Sequence, residues 1–295
     1  MRTVYLGTSA FAAAVLRVLA GSEHRPALVI TRPDRPRGRG RHLAAPPVGE
    51  TARELGLPVA QPENVNDEAA RAQIAAAAPD AVCVCAFGAL IREPLLSAHA
   101  MLNVHPSLLP RWRGAAPVER AIMAGDARTG VSIMRLTAGL DSGPVSLRAE
   151  VEITPQDTYG TLAERLEAIG GALLVRALDT QPPFTDQPES GATYAEKISA
   201  QDRILDPERP AAELERRVRA LSPHIGAAVM LAGEERLGVW AARALPAPGP
   251  APGEISLDGE LPVLGCAEGA LELVTVQPAG KRAMSGADFL RGRRG

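Results

Sequence analysis

Through the first half of the chain, short apolar runs alternate with Ala-rich stretches whose apolar residues recur at helical spacing. That alternation is the signature of strands and helices in a parallel α/β sheet. Thr3-Val4-Tyr5-Leu6 reads as a buried strand and Gly7-Thr8-Ser9 as the turn that feeds a helix, with Ser9 placed to cap it. Phe11, Val15, Leu16 and Leu19 follow at helical spacing until Gly21 stops the run. Ala27 to Ile30 is a second strand; Val48 to Leu55, closed by Gly56, and Glu68 to Ala77, closed by Pro79, are helices. Further strands are predicted at Ala81 to Ala86, Met101 to His105, Val131 to Leu136 and Val145 to Ile153. Asp157 opens a long amphipathic helix that runs to about Leu178.

The pattern then breaks. Gln181 to Gly191 is rich in Pro, Thr, Asp and Ser, the composition of a linker. Beyond it a helix is predicted from Pro210 to Leu221, with Leu214, Val218 and Leu221 on one face. Five short strand-like runs follow, at Ala227 to Leu231, Arg236 to Ala241, Gly253 to Leu257, Pro262 to Cys266 and Leu271 to Val276, punctuated by Gly and Pro. Five strands and a helix suit a small barrel. The reading is therefore α/β: a Rossmann-like parallel-sheet domain over residues 1–181, a linker over 182–201, and a smaller C-terminal OB-like β-barrel over 202–295. A length of 295 residues fits two domains better than one.

A formal net charge of -2 gives no global reason to expect a polyanion partner, so any nucleic-acid surface has to be local. One such locality exists: Arg32, Arg35, Arg37, Arg39 and Arg41 are opposed only by Asp34, in a stretch where Gly and Pro prevent a helix. A loop of this kind can reach phosphates; a merely solvated loop is the competing reading. Lys281, Arg282, Arg291, Arg293 and Arg294 make a second basic region, equally open to the solvated reading. The three cysteines do not make a closed disulfide framework, and Cys83 and Cys85 sit in an apolar strand, so buried thiols in a reducing cytosol are expected. The N-terminus has no signal-peptide pattern and no apolar run reaches membrane-spanning length, so a cytoplasmic location with no membrane partner is expected.

Asn103 and His105 carry the chemistry of greatest interest. They stand two apart on the strand predicted to end at His105, so their side chains share a face, at the sheet edge where α/β folds bind ligands. A lone histidine at a strand end is more often structural; an amide and an imidazole together are a pair of donors suited to a developing oxyanion. Asp141, between Gly139 and Gly143, adds a carboxylate able to orient the imidazole and handle a proton. Amide, imidazole and carboxylate are the set needed to move an acyl group. Nucleotide chemistry is disfavoured, since Gly7-Thr8-Ser9 lacks the G-x-G-x-x-G spacing and no P-loop is present.

The run Asn103-Val104-His105-Pro106-Ser107-Leu108-Leu109-Pro110-Arg111-Trp112-Arg113-Gly114-Ala115-Ala116-Pro117, with Gly139-Leu140-Asp141-Ser142-Gly143, resembles the folate-dependent formyltransferases. Gly7-Thr8-Ser9-Ala10-Phe11, Pro33-Asp34-Arg35-Pro36 with Gly38-Arg39-Gly40, and Gln277 to Met284 narrow the likeness to the branch of the family that formylates methionyl-tRNA. The resemblance spans nearly the whole chain. It implies transfer of the formyl group of 10-formyltetrahydrofolate, a donor substrate, to the α-amino group of methionine on initiator tRNA, in support of translation initiation. It implies that Asn103 and His105 stabilise the oxyanion of a tetrahedral intermediate while Asp141 positions His105 and assists proton transfer. Folate-binding positions would be Phe87, Leu90, Ile91, Ser107, Leu108, Leu109, Pro110, Gly139 and Leu140; tRNA contacts would be Arg37, Arg39, Arg41, Lys281 and Arg282, with Arg39 foremost. No metal is implied, and a monomer is expected. Leu221 to Gly226 departs from the aromatic residues common in relatives, and Phe87 stands where a tyrosine is usual. Two rivals stay open: the same folate chemistry on a small amine such as a sugar nucleotide, which needs neither a basic insert nor a second domain, and a tRNA-binding protein with a disabled catalytic domain.

Overall fold

A computed structural model describes residues 1–37, 42–231, 235–247 and 249–294, and leaves the side chains of Arg37, His42 and Arg294 undescribed. The chain forms two compact units. One comprises Met1–Gly114, Thr129–Val151 and Ala163–Tyr194; the other comprises Ala115–Arg128, Glu152–Leu162 and Ala195–Gly295.

The first unit is built on a seven-stranded sheet, in the order Val145–Glu152, Arg128–Arg135, Met101–His105, Ala81–Cys85, Thr3–Gly7, Pro26–Ile30 and Val59–Ala60. The last five run parallel to one another. Arg128–Arg135 runs antiparallel to Met101–His105, so the expected parallel sheet is a mixed one. Thr3–Gly7 and Ala81–Cys85 are buried at every position, which is why each reads as an unbroken apolar run rather than an alternating one. The chain lays strands outward from Thr3–Gly7 on one side and then returns to place Ala81–Cys85 on the other. In open α/β sheets ligands bind beyond the carboxyl ends of the strands at such a reversal. Thr8 Oγ1 donates to Phe87 O at 2.6 Å and ties together the turns that follow the two strands.

Local signals mark the starts of two helices. Ser9 accepts from Ala12 N at 3.2 Å and caps Ala10–Ala20. Asp157 accepts from Thr154 N and Thr161 Oγ1 at 2.7 and 2.9 Å just ahead of the Tyr159–Thr180 helix. Within the basic stretch Arg35–Arg37 pairs antiparallel with His42–Ala44, a pairing that sequence pattern did not show. Within the segment expected to be a linker, Thr185 pairs with Val145 and Gln187 is buried.

The second unit carries an antiparallel sheet in the order Ala227–Met230, Arg236–Leu245, Ala270–Pro278, Val263–Gly265 and Ile255–Ser256, with Met284–Ser285 paired to Ala270–Pro278. The sixth strand is one more than the apolar runs predict; at two residues it is too short to show a period. The predicted apolar face of the Ala211–Leu221 helix is buried as Leu214, Val218 and Leu221, in one core with Leu237, Val239, Leu271 and Leu273. A helix not foreseen from sequence, Pro117–Ala124, belongs to this unit. Its Arg120 forks onto Asp202 at 2.8 and 3.2 Å, and its Met123 packs against the same core. His224 stacks on Tyr159 with ring centroids 3.6 Å apart and meets Glu119 Oε1 at 3.0 Å.

Candidate active site

His105 ends the Met101–His105 strand, and Asn103 lies two residues earlier on the same face. Both are buried, with 8% and 4% of Asn103 and His105 exposed. His105 Nε2 lies 2.9 Å from Trp112 O. A carbonyl only accepts, so Nε2 carries the hydrogen and Nδ1 is left as the other polar atom of the ring. Nδ1 lies 3.7 Å from Asp141 Oδ2, ion-pair range though longer than a hydrogen bond. The same carboxylate oxygen accepts from Gly114 N at 2.9 Å. No hydrogen bond of the Asn103 side-chain amide is seen among the described residues, and that amide is not one of the fully buried polar atoms left without a partner.

The three residues named from sequence therefore converge at the carboxyl edge of the sheet, and the backbone between Trp112 and Gly114 joins two of them. That tripeptide is itself pinned: Trp112 N donates to Thr193 Oγ1 and Arg113 N to Thr193 O, each at 2.9 Å. Sequence reasoning missed this bridge, because a backbone carbonyl and a backbone N–H carry no residue-type signal. It missed two side chains as well. Arg113, 2% exposed, donates from Nε to Gln187 Oε1 at 3.0 Å. Gln187 Nε2 donates to Asp141 O at 2.8 Å and to Gly143 O at 2.7 Å.

Strain marks the same place. Among the described residues five other than glycine have positive φ, and three of them are Ala86 at 41°, Trp112 at 63° and Asp141 at 43°. Ala86 follows a central strand, Trp112 carries the carbonyl that holds His105, and Asp141 is the carboxylate. Such conformations cost about 1–3 kcal/mol each and collect at functional sites. Gly143 is required by space: a Cβ there would lie 1.9 Å from Arg135 O.

The other positions named from sequence divide by exposure. Leu90 and Leu140 are 64% and 61% exposed, unusual for large apolar side chains, and Gly139 is exposed beside Leu140. Ile91, Leu108 and Pro110 are partly buried. Phe87 packs in the core with Val4, Leu6 and Val84, Leu109 with Met134 and Val145. Ser107 is fully buried and donates its hydroxyl to Arg111 O at 2.6 Å, while its carbonyl accepts from Ser132 Oγ at 2.7 Å. Of the basic positions, Arg39 and Arg41 lie outside the described residues and Arg37 is described by its backbone alone. Lys281 and Arg282 are exposed in the second unit, on the turn between Ala270–Pro278 and Met284–Ser285. Among the described residues no group of three or more His, Cys, Asp or Glu could hold a metal ion, and no helix is long and apolar enough to cross a membrane.

Residues 1–178 match the family described as Formyl transferase, and residues 197–294 match Formyl transferase, C-terminal domain. The chain is 44% identical to "Methionyl-tRNA formyltransferase" of Ruegeria pomeroyi over 99% of this chain and 97% of that protein. It is 45% identical to the protein of the same name from Methylobacterium sp. (strain 4-46), over 100% and 97%. Among solved structures, HypX from Aquifex aeolicus in complex with tetrahydrofolic acid is similar with a TM-score of 0.64 at 16% identity, over 98% of this chain. This chain spans about half of that one (47%), and at such identity the likeness is one of fold.

Proposed function

This chain belongs to the formyl transferase family and, within it, to the methionyl-tRNA formyltransferases, and on that premise we propose that it moves the formyl group of 10-formyltetrahydrofolate onto the α-amino group of methionine on initiator tRNA, using Asn103, His105 and Asp141. The observation that carries the reading is one carboxylate oxygen with two neighbours. Asp141 Oδ2 is fixed by Gly114 N–H at 2.9 Å and stands 3.7 Å from His105 Nδ1, at the end of the strand that also carries Asn103.

The neutral amine attacks the formyl carbon, and the carbonyl electron pair moves onto oxygen. Asn103 donates an amide hydrogen to that oxyanion, and His105 donates from Nδ1 when the ring is doubly protonated, its Nε2–H being held by Trp112 O. Asp141 stands beside Nδ1 and takes part in removing the proton that the attacking nitrogen sheds. Collapse of the intermediate breaks the bond between the formyl carbon and the folate nitrogen, which accepts a proton in turn, so the reaction is proton-neutral overall. Preorganised donors of this kind contribute about 2.7–4 kcal/mol each in comparable acyl transfers.

Exposed Leu90 and Leu140 support a binding face for the flat pterin of the donor near the carboxyl edge, with Phe87, Ile91, Ser107, Leu108, Leu109, Pro110 and Gly139 forming the turns that support it. Arg37, Arg39 and Arg41 of the basic stretch, and Lys281 and Arg282 of the second unit, are the proposed tRNA contacts. Charged tRNA and reduced folates are cytoplasmic substrates, so the protein works there, as a monomer. The direct test compares formylation rates on charged initiator tRNA, charged elongator tRNA and an amino-sugar nucleotide. Turnover confined to the initiator is expected; equal rates on the free amine would overturn the reading, and binding of tRNA with no turnover would leave a non-catalytic tRNA-binding protein.

A further inference from the structure

Arg113 is the largest fully buried side chain among the described residues, and the acyl-transfer chemistry does not use it. A guanidinium at that depth costs several kcal/mol unless it is well hydrogen-bonded. Its charge partner, Glu189, is 81% exposed and sits 3.4 Å away, a pairing of little value in water. The well-formed bond is the one from Nε to Gln187 Oε1 at 3.0 Å. Gln187, also buried, turns both hydrogens of its amide to the Asp141 and Gly143 carbonyls at 2.8 and 2.7 Å. The donor roles are fixed, because Arg113 Nε can only donate and the two carbonyls can only accept. No carboxylate, hydroxyl or apolar side chain could fill that place. The neighbours of Arg113 complete the arrangement, Trp112 O holding His105 Nε2 and Gly114 N holding Asp141 Oδ2.

We infer that Arg113 and Gln187 are positioning residues that lock the 112–114 segment to the 141–143 turn, so that the imidazole and the carboxylate keep their 3.7 Å approach. The inference rests on the assignment of His105 and Asp141 to the reaction. Neither Arg113 nor Gln187 touches the reacting atoms; both act through the backbone that carries or contacts those groups.

Gln187→Glu is the sharpest probe. It is nearly isosteric and can still accept from Arg113, but it offers oxygen where two carbonyls need hydrogen. A displacement of the turn by about 1 Å lowers kcat by about a hundredfold. KM for both substrates stays within about twofold, and the pH profile of kcat is displaced from that of the wild type, because that profile depends on how the imidazole and carboxylate are placed relative to each other. The double variant Arg113→Met/Gln187→Met replaces the whole buried pair by apolar groups, which folds more readily than a half-pair, and gives the same fall in kcat. Thermal melts establish that each variant is folded. Folded variants with wild-type kcat and pH profile would overturn the inference, as would a loss confined to KM or a fall in kcat with the profile unmoved. Asp141→Asn in the same assay separates the two levels. Impairment there with fully active Gln187 variants removes only the positioning role; full activity of Asp141→Asn removes the catalytic assignment, and the positioning role with it.

Discussion

Replacing Asp141 by Asn takes a charge out of the site and leaves its shape. An amide oxygen can keep the contact with Gly114 N at 2.9 Å; what disappears is the negative charge 3.7 Å from His105 Nδ1. When the ring carries a positive charge in the transition state, two unit charges at that separation interact by about 4.5 kcal/mol at an effective dielectric constant of about 20. The Asp141 side chain is 15% exposed, so water replaces part of the lost charge. Assigning about half to two-thirds of the interaction to the transition state leaves about 2–3 kcal/mol, a fall in kcat of about 30- to 150-fold. The assay is single-turnover formylation of methionyl-tRNA at saturating donor and neutral pH, with tRNA affinity measured by filter binding and the fold checked by circular dichroism. A rate within about twofold of the wild type, or a deficit wholly accounted for by weaker tRNA binding, would mean that the carboxylate does not act on the chemical step.

Four further outcomes follow from separate features. Gly143→Ala places a Cβ 1.9 Å from Arg135 O, so stability falls by about 1–3 kcal/mol, and an unchanged denaturant midpoint would show that the turn yields freely. Cys83 and Cys85 are buried thiols pushed up to about 12, so a thiol reagent at mildly alkaline pH leaves both unlabelled until denaturant is added; fast labelling of the native protein contradicts this. Hydrogen bonds from Arg120, and then from Ser199, hold the Asp202 carboxyl far below its usual range, so the pair stabilises above the ordinary Asp value of about 3.9 and the contribution fades as pH drops below it. Arg120→Met therefore lowers neutral-pH stability by about 1 kcal/mol, with a gap that closes in acid; a gap constant across pH refutes the assignment. Arg39→Ala weakens tRNA use and reduces the salt slope by about one with kcat retained, and superimposable salt titrations would make the loop a bystander.

What the sequence made legible was whatever declares itself by residue type and period. Thr3–Gly7 and Ala81–Cys85 are apolar runs, Met101–His105 is an apolar run broken by Asn103 and ended by His105, and the Ala211–Leu221 helix shows its buried stripe at the positions expected. Asn103, His105 and Asp141 are noticeable because buried polar residues beside Pro and Gly are uncommon without a use. Elements of two or three residues, such as Val59–Ala60 and Met284–Ser285, are too short to express a period, and Pro117–Ala124 follows a motif that reads as loop. The antiparallel course of Arg128–Arg135 was equally hidden, since a buried run looks the same in either direction. Gln187 was concealed most completely. It lies in a Pro-, Thr-, Asp- and Ser-rich stretch whose composition reads as a linker, yet its amide reaches two carbonyls more than forty residues away.

That concealment has a physical cause. Trp112 and Asp141 are held at positive φ, which their own sequences disfavour, so local preference at these two points opposes the native conformation. Contacts from elsewhere have to over-determine it: the amide of Gln187 on the Asp141 and Gly143 carbonyls, the N–H of Gly114 on the carboxylate, Thr193 on Trp112 and Arg113. Each of these is long-range and most involve the backbone, so none leaves a residue pattern within a window of the length that secondary structure imposes. A strained turn read locally is a poor turn; read with its remote partners it is the conformation that brings a carboxylate to the imidazole on a neighbouring strand end. The residues proposed for catalysis were legible because chemistry dictates their type, and their support was not, because geometry alone dictates it.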